Sequence, residues 1–282
     1  MTTPAPVLFG LDAISDREFT LFRDFIHKHA GIALSDAKRT LLVGRLTRRL
    51  RDLGLTSFLQ YYRRIEADAD ERMRMLDRIS THETHFFREP RHFEFLSAEL
   101  FPRWRQRAPR GRRVRVWSAA SSTGEEPYSL AMTLLDGLPP EEGWTHEVLA
   151  TDLSRAVVEQ AREGVWPTEK SAAIPPRLLK RFMLYGVGSQ AGRVKVGPEL
   201  RAVVRFATLN LNDAIYPVGG PYDLIFCRNV LIYFDAELRA RVIRQLAGHL
   251  APDGHLFVGH AESLHGLTEL GCVCPTIYAP RS

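Results

Sequence analysis

Apolar residues recur at helical spacing in the first quarter of the chain. Phe19, Phe22 and Ile26 follow the period of an amphipathic helix. A stripe of leucines over 42–53 predicts a second helix with arginines on another face, and 58–65 predicts a third. No convincing strand pattern interrupts this region. It therefore predicts a small helical bundle with one basic face.

From about residue 112 the pattern alternates between short β-branched runs and amphipathic segments. This alternation predicts an α/β fold, a doubly wound sheet with helices on both faces. Residues 181–205 break the rhythm with several glycines and short β-like runs, which indicates a small antiparallel insertion. The predicted strands are 113–117, 147–151, 203–208, 222–227 and 254–259, with an edge strand near 276–279; the predicted helices are 125–136, 153–163 and 236–250.

Composition places this pattern in an ordinary globular protein. The chain has 282 residues, of which 45% are hydrophobic and 25% charged. No apolar run approaches the roughly 20 residues that span a bilayer, and the N-terminus lacks the features of a signal peptide. We therefore expect a cytoplasmic protein without membrane insertion. The three cysteines are interpreted as reduced thiols.

The net charge of +5 is unevenly distributed. Residues 37–51 hold several Lys and Arg and no acidic residue, whereas the region after 112 is closer to balance. A localised excess of this kind indicates a partner with an acidic or helical surface.

The stretch VRVWSAASSTGEEP, residues 114–127, is the strongest sign of a ligand. A buried strand leads into small residues, and a helix then begins at Glu125. Such a loop lets a nucleoside-type cofactor approach the backbone and the free N–H groups of the helix. The two carboxylates of Glu125 and Glu126 would repel a pyrophosphate. The stretch therefore favours S-adenosylmethionine over a dinucleotide.

Polar residues follow the ends of the other predicted parallel strands, where a doubly wound sheet binds its ligand. Asp152 can accept hydrogen bonds from both ribose hydroxyls, although it can instead cap the next helix in competition with Ser154. Asn210 can read the adenine edge between neighbouring leucines. Arg228 comes directly after the fourth strand, and Asn229 follows it.

The segment STHETHFFREP, residues 80–90, precedes the sheet. Its two phenylalanines are expected to pack, which would direct Thr84 and Arg88 toward the crevice. His82 and His85 form an H-x-x-H pair, but the pair lacks zincin spacing and an obvious third ligand. We therefore predict no metal site.

Together these motifs resemble the CheR-type chemotaxis receptor glutamate O-methyltransferases. The resemblance covers nearly the whole chain and rests on THETHFFRE, WSAASSTGEEPYSLA, LATDLS, FATLNLND, FCRNVLIYFD and LAPDGHLFVGHAESL. It implies a Rossmann-like methyltransferase sheet with a small β subdomain, preceded by an all-α domain. The implied domains are a helical domain over 1–80, a linker over 81–111 that contributes to the cofactor site, and a methyltransferase domain over 112–282 with 181–205 inserted.

The resemblance also implies site residues. Arg88 and Tyr233 match positions near the transferred methyl group, although Tyr233 can alternatively pack beneath the next helix. His82 stands where the family often has Asn. The implied cofactor contacts are His82, Thr84, Arg88, Glu126, Asp152, Asn210, Leu211, Arg228 and Asn229.

The implied reaction transfers a methyl group from S-adenosylmethionine to glutamate side chains of methyl-accepting chemoreceptors, giving S-adenosylhomocysteine. The basic helix would dock on the receptor's helical methylation region, and the β subdomain would pair with a receptor tail. We expect a monomer that binds no nucleic acid. Two alternatives stay open: a methyltransferase for RNA or a small molecule, and an S-adenosylmethionine-binding adaptor without turnover.

Overall fold

A computed structural model describes residues 13–264 and 269–281. The chain forms two compact units. One runs to Thr81 and includes Tyr233–Asp235, and the other contains His82–Ile232 and the chain from Ala236 onward.

The first unit is helical. Ser15 and Glu18 form a capping box at the start of its first helix, and Gly31, with a φ of 71°, ends that helix. The sequence pattern did not indicate the fourth helix, because its apolar residues lie among many charged ones. The helices are α1 (Asp16–Ala30), α2 (Arg39–Asp52), α3 (Phe58–Ala67) and α4 (Ala69–Ile79).

Two arginines of the predicted basic face are engaged within this unit. The Arg49 guanidinium donates to both oxygens of the buried Glu71 carboxylate, at 2.7 and 2.5 Å. Arg45 donates to the Ser80 carbonyl and to Thr81 Oγ1 at the end of α4, at 3.1 and 3.2 Å. The basic face of α2 is therefore partly structural.

The second unit is built on a seven-stranded sheet with the order β6-β2-β1-β7-β8-β10-β9. The strands from β6 to β8 are parallel, and β10 is antiparallel to both of its neighbours. The predicted α/β fold class is confirmed. The strands of this unit are β1 (Arg113–Ala119), β2 (Thr145–Asp152), β3 (Val165–Pro167), β4 (Met183–Tyr185), β5 (Arg193–Val196), β6 (Val204–Thr208), β7 (Tyr222–Cys227), β8 (Leu250–Val258), β9 (Leu270–Cys274) and β10 (Ile277–Pro280).

Helices cover the sheet and its connections. A π-helical stretch, Leu96–Leu100, joins the first two of them. Residues 91–107 of the expected linker 81–111 are thus helical. Their Phe93, Leu96 and Trp104 side chains lie in the sheet domain's core. The helices are α5 (Arg91–Phe95), α6 (Phe101–Arg107), α7 (Glu125–Gly137), α8 (Arg155–Glu163), α9 (Pro176–Phe182), α10 (Pro198–Val203) and α11 (Ala236–Gly248).

The antiparallel insertion is larger at its start than predicted. A three-stranded sheet of order β3-β5-β4 begins at Val165 instead of 181. Its first strand, β3, has only three residues, too few to show a periodic pattern in the sequence. Trp166 of this strand is nevertheless buried and pairs with Val194 of β5. At the other end, residues of the expected insertion form α10 and join the main sheet as β6.

Two predictions about the last strands are wrong. The strand near 276–279 is not an edge strand, because β10 lies between β8 and β9, and β9 forms the edge. Strand β8 begins at Leu250 and runs through Pro252 and Gly254, whereas the predicted helix included residue 250 and the predicted strand began only at 254. A Cβ on Gly254 would lie 2.8 Å from the Tyr222 carbonyl oxygen, so the close approach of β7 requires glycine.

Candidate active site

The carboxyl ends of the central parallel strands meet at one edge of the sheet. In the strand register Ala119 lies opposite both Thr151 and Cys227, and Asp152 lies opposite Thr208. The adjacent strands β1 and β7 lead away from each other: the chain runs from β1 to β2 on one side and from β7 to β8 on the other. A crevice of this type is where open α/β sheets bind ligands.

The loop after β1 is tightly turned. Ala120 and Ser122 have φ values of 68° and 50°, and Gly124 has a φ of 96°. A Cβ on Gly124 would lie 2.8 Å from the Ala161 Cβ of α8. Glycine therefore lets the loop pass close to α8, and small residues leave its backbone accessible to a ligand.

Asp152 connects this loop to the end of β2. Its carboxylate accepts hydrogen bonds from the Ser122 and Ser154 N–H groups, at 2.9 and 3.0 Å. Ser154 caps α8 by accepting from the Val157 N–H, so the helix does not need Asp152 as its cap. Burial raises the pKa of Asp152 above its ordinary value, although both N–H groups oppose the shift.

The two carboxylates at the start of α7 have different roles. Glu125 is fully buried, with hydrogen bonds from Thr123 Oγ1 at 2.6 Å and from Lys170 at 2.9 Å. Glu126 accepts from Ser118 Oγ at 2.7 Å and lies 3.2 Å from the Arg228 guanidinium. Burial raises the pKa of Glu126, and Arg228 opposes this shift. Of these two carboxylates, Glu126 lies next to Arg228, whereas Glu125 pairs with Lys170.

Arg228 is buried where β7 ends. Its guanidinium lies 3.2 Å from Glu126 and 3.4 Å from Glu89, and it also donates to the Arg88 carbonyl. Asn229 follows with a left-handed φ of 61°, and its amide donates to Glu89 Oε1 at 3.4 Å. The contacts join the segment before the sheet to the end of its central strand.

The segment 82–88 is held by its carbonyl groups. The His82 carbonyl accepts from Ser122 Oγ at 3.2 Å, and the Thr84 carbonyl accepts from Lys170 Nζ at 2.8 Å. The His82 Nε2 atom is buried without a hydrogen-bond partner among residues 13–264 and 269–281. A buried ring nitrogen of this kind is available to a ligand.

Arg88 is half-buried and donates to the Glu83 carbonyl at 2.9 Å. The neighbouring phenylalanines pack as expected. Phe86 is fully buried, with its ring 5.0 Å from that of Trp166, and Phe87 lies 5.0 Å from Phe93. These contacts fix the backbone on both sides of the segment that carries Arg88.

The turn after β6 adjoins Asp152, whose carbonyl accepts from the Leu209 N–H at 2.9 Å. The Asn210 side chain accepts from the Asn212 N–H at 2.9 Å, which closes the turn. The Leu211 side chain is buried, and its carbonyl accepts from Tyr216 at 2.6 Å.

Tyr233 is not among the residues that the sheet domain brings together. It belongs to the helical unit, where its carbonyl accepts from the Ala33 N–H at 2.8 Å. The Lys38 ammonium group lies 5.3 Å from the centre of its ring. A role for Tyr233 near the methyl group stays a prediction.

The sequence interpretation missed several groups that hold the site. Glu89 and Glu262 lie within the family motifs but were given no role of their own, and Lys170 follows no recognisable spacing. Glu89, His92 and His260 have potential metal-ligating atoms within 4.8 Å of one another. The Arg228 guanidinium lies 3.4 Å from Glu89, so a positive charge already compensates this carboxylate and disfavours a metal ion there.

The fold and the site together define a class of protein. Residues 82–277 match the family model of the CheR methyltransferase SAM binding domain, and residues 17–80 match that of the CheR methyltransferase all-alpha domain. The chain therefore has the fold of an S-adenosylmethionine-dependent methyltransferase, and S-adenosylmethionine is its cofactor, as predicted.

Relatives identify the family. The chain is 39% identical over 285 residues to chemotaxis protein methyltransferase 2 of Pseudomonas aeruginosa, covering 99% of each chain. It is 42% identical over 258 residues to the chemotaxis protein methyltransferase of Escherichia coli, covering 90% of this chain and 87% of the relative. The chain belongs to the CheR family of chemotaxis protein methyltransferases, which confirms the resemblance. Within the described parts of the chain, no helix combines the length and apolarity needed to cross a membrane.

The residues present fit S-adenosylmethionine. The buried Asp152 carboxylate suits a ligand with hydroxyl groups, and the turned loop after β1 exposes backbone to it. Glu126 offers a carboxylate, and the buried His82 Nε2 atom offers a further polar contact. A cationic sulfonium and an ammonium group are compatible with these carboxylates, whereas a pyrophosphate is not.

Proposed function

We propose that this methyltransferase acts on the side-chain carboxylates of specific glutamates in methyl-accepting chemoreceptors. The products are glutamyl methyl esters and S-adenosylhomocysteine, and the reaction serves sensory adaptation. The observation that carries the proposal is the match of both domains, over nearly the whole chain, to chemotaxis protein methyltransferases. We place this activity in the cytoplasm, with the protein as a monomer.

The candidate site supplies the cofactor contacts. Asp152 binds the ribose hydroxyls, because its buried carboxylate is held at the end of β2 by backbone N–H groups. Asn210 and Leu211 bind the adenine from the turn after β6. The remaining contacts come from the segment before the sheet and the group around β7, namely His82, Thr84, Arg88, Glu126, Arg228 and Asn229.

The methyl acceptor needs no general base. A glutamate side chain has an ordinary pKa near 4.3, so it is ionised at neutral pH and is already a nucleophile. S-adenosylmethionine supplies the activated methyl group. The task of the protein is to align the carboxylate oxygen with the methyl carbon and sulfur, and to exclude water.

Arg88 and Tyr233 are the residues proposed to guide the incoming carboxylate. The Arg88 guanidinium orients it or the cofactor's own carboxylate, while a strong pairing with the nucleophile would reduce its reactivity. The Tyr233 hydroxyl holds the second oxygen. If Arg88→Ala abolishes cofactor binding instead of turnover, Arg88 serves the cofactor and not the acceptor.

The basic face of α2 is proposed to dock on the receptor's helical methylation region. Since Arg45 and Arg49 are engaged within the helical unit, the exposed Arg48 is the better probe of docking. Arg48→Glu should raise the KM for receptor and leave the KM for S-adenosylmethionine unchanged. The matched control is Arg17→Glu, the same charge reversal at an exposed site on α1. Equal effects of both reversals would contradict docking through α2.

The small sheet is proposed to bind a receptor tail by strand addition. Among the residues that the structure describes, β4 pairs only with β5, so its other side is an edge. Leu184 and Tyr185 on this strand are 55% and 56% exposed, which gives an added strand apolar contacts. Leu184→Asp should weaken binding of a receptor-tail peptide in a fluorescence anisotropy titration. Unchanged affinity would contradict strand addition at β4.

The reaction is tested with methyl-labelled S-adenosylmethionine and membranes that carry the host's receptors. Label that alkali releases as methanol would establish a carboxyl methyl ester. Cofactor binding without transfer to folded receptors would contradict the proposal and favour an adaptor. Label in RNA or a small molecule would identify a different substrate class.

A further inference from the structure

Glu262 gathers backbone groups from two chain segments that follow β7 and β8. It is 6% exposed, and its carboxylate accepts four N–H hydrogen bonds. Oε2 accepts from Gly259 at 2.6 Å and from Asn229 at 2.8 Å. Oε1 accepts from Leu231 at 2.7 Å and from Ile232 at 3.3 Å.

These hydrogen bonds match the capacity of the side chain. An ionised carboxylate has about four lone-pair sites and accepts without donating. Asn229 lies in the turn after β7, and Leu231 and Ile232 begin a one-turn 3₁₀ helix, Leu231–Tyr233, whose first N–H groups have no partner within the helix. All three N–H groups therefore need an acceptor from elsewhere. Hydrogen bonds to an ionised acceptor are stronger than neutral ones. Glu262 therefore determines the shape of this turn.

The turn has a left-handed conformation at Asn229. This residue adopts a φ of 61°, which asparagine reaches more readily than most other non-glycine residues. The space around it is also filled: a Cβ on Gly259 would lie 2.6 Å from Asn229 Nδ2 and 2.8 Å from Glu262 Oε2. The segments after β7 and β8 are thus closely packed around the Glu262 carboxylate.

We infer that Glu262 is a positioning residue of the methyltransferase site. By binding the Asn229 N–H, it fixes the left-handed turn and so the direction in which Arg228 and Asn229 leave the strand. The inference rests on the proposed function of these two residues as cofactor contacts. Glu262 itself acts through the backbone and does not touch the cofactor.

The test replaces the carboxylate with an amide of the same shape. Glu262→Gln turns one acceptor oxygen into an NH₂ group that faces N–H donors, so the turn loses about half of its hydrogen bonds. We expect calorimetry with S-adenosylhomocysteine to show a Kd raised about tenfold or more. The KM for S-adenosylmethionine should rise together with the Kd, whereas kcat should fall by a smaller factor than KM rises.

A purely structural role predicts a different pattern. It would reduce the fraction of protein that binds, seen as a lower stoichiometry, and would leave the Kd of the folded fraction unchanged. Glu262→Asp keeps the charge and should bind more tightly than Glu262→Gln. The control Glu142→Gln makes the same change at an exposed site just before β2, at the opposite edge of the sheet, and should bind like the wild type.

The variant Asp152→Asn distinguishes a failure of the positioning role of Glu262 from a failure of the proposed cofactor site. A Kd within about twofold of the wild type for Glu262→Gln, together with weakened binding by Asp152→Asn, would overturn the positioning role alone. Wild-type affinity in both variants would contradict the proposed cofactor site as well. If Glu262→Gln does not fold, Gly259→Ala crowds the same contact and should weaken binding in the same way, and wild-type affinity there would overturn the inference.

Discussion

The Ser122 N–H group donates to the Asp152 carboxylate over 2.9 Å, which joins the loop after β1 to the end of β2. The two residues are 30 positions apart in the chain. Ser122 lies in the loop after β1, and Asp152 ends the adjacent parallel strand β2. This contact, together with the hydrogen bond from the Ser121 N–H to the Thr151 carbonyl at 2.9 Å, aligns the loop that presents backbone groups with the carboxylate proposed to bind ribose.

Asp152→Asn should weaken S-adenosylhomocysteine binding by about one to two orders of magnitude. The amide keeps the shape of the side chain but loses the charge and one of the two acceptor oxygens. Calorimetry measures the change. Asp253→Asn, an exposed control that pairs with Arg107, should retain wild-type affinity, and equal affinities of the two variants would contradict the assignment of Asp152.

Arg228→Met should lower the free energy of unfolding by about 3–5 kcal/mol, because it leaves two largely buried carboxylates without their cation. Urea denaturation measures the loss. Adding Glu126→Gln should restore part of the stability, since one of the uncompensated charges is then removed. Strictly additive effects in this double-mutant cycle would show that Arg228 and Glu126 do not interact.

Lys170→Met should lower the free energy of unfolding by about 1–3 kcal/mol and raise the KM for S-adenosylmethionine. Lys170 donates to the Thr84 carbonyl and to the fully buried Glu125, at 2.8 and 2.9 Å. Lys170→Arg should show a smaller loss in the free energy of unfolding and a smaller rise in KM than Lys170→Met. The control is Lys195→Met at an exposed position of β5, and a KM for Lys170→Met no higher than in this control would contradict the anchoring role.

His92 should make the protein less stable in mild acid. Burial is the main cause that lowers its pKa from 6.5 to about 4, with a further contribution from Arg228. Because the folded His92 stays neutral, only the unfolded chain takes up this proton as the pH falls from 6.5 toward 4. The stability present above pH 6.5 is therefore lost across that window.

His92→Gln should remove this contribution, which amounts to roughly 2 kcal/mol at about pH 5. The measurement compares urea unfolding of both proteins at about pH 7.5 and about pH 5. The difference between the two pH dependences isolates the contribution of His92 from those of the other histidines. Identical pH dependences of wild type and variant would show that His92 does not contribute.

Much of the fold could be predicted from local patterns. Strand 222–227 has the predicted bounds, because six consecutive buried residues mark a central parallel strand. Strand β3 has only three residues and is defined by its partner β5, so no periodicity indicates it. The position of β10 inside the sheet likewise depends on its pairing with β9, which its own sequence does not indicate.

The site shows the same division. Asp152 and Arg228 could be proposed because they directly follow parallel strands, whose carboxyl ends share one edge. Their supporting partners could not. Glu89 meets Arg228, which lies far from it in the sequence, and Glu262 meets Asn229 from the segment after β8. Neither relationship leaves a periodic signal.

The most direct test of the central claim locates the methyl group on the receptor. Receptors labelled by this protein are digested, and the modified side chains are identified by mass spectrometry, with Asp152→Asn as the control for cofactor-dependent transfer. The account predicts methyl esters on glutamates of the helical methylation region, strongly reduced in the control. Methylation of other side chains would contradict the account. So would the absence of methylation when the receptors are folded and the enzyme binds its cofactor.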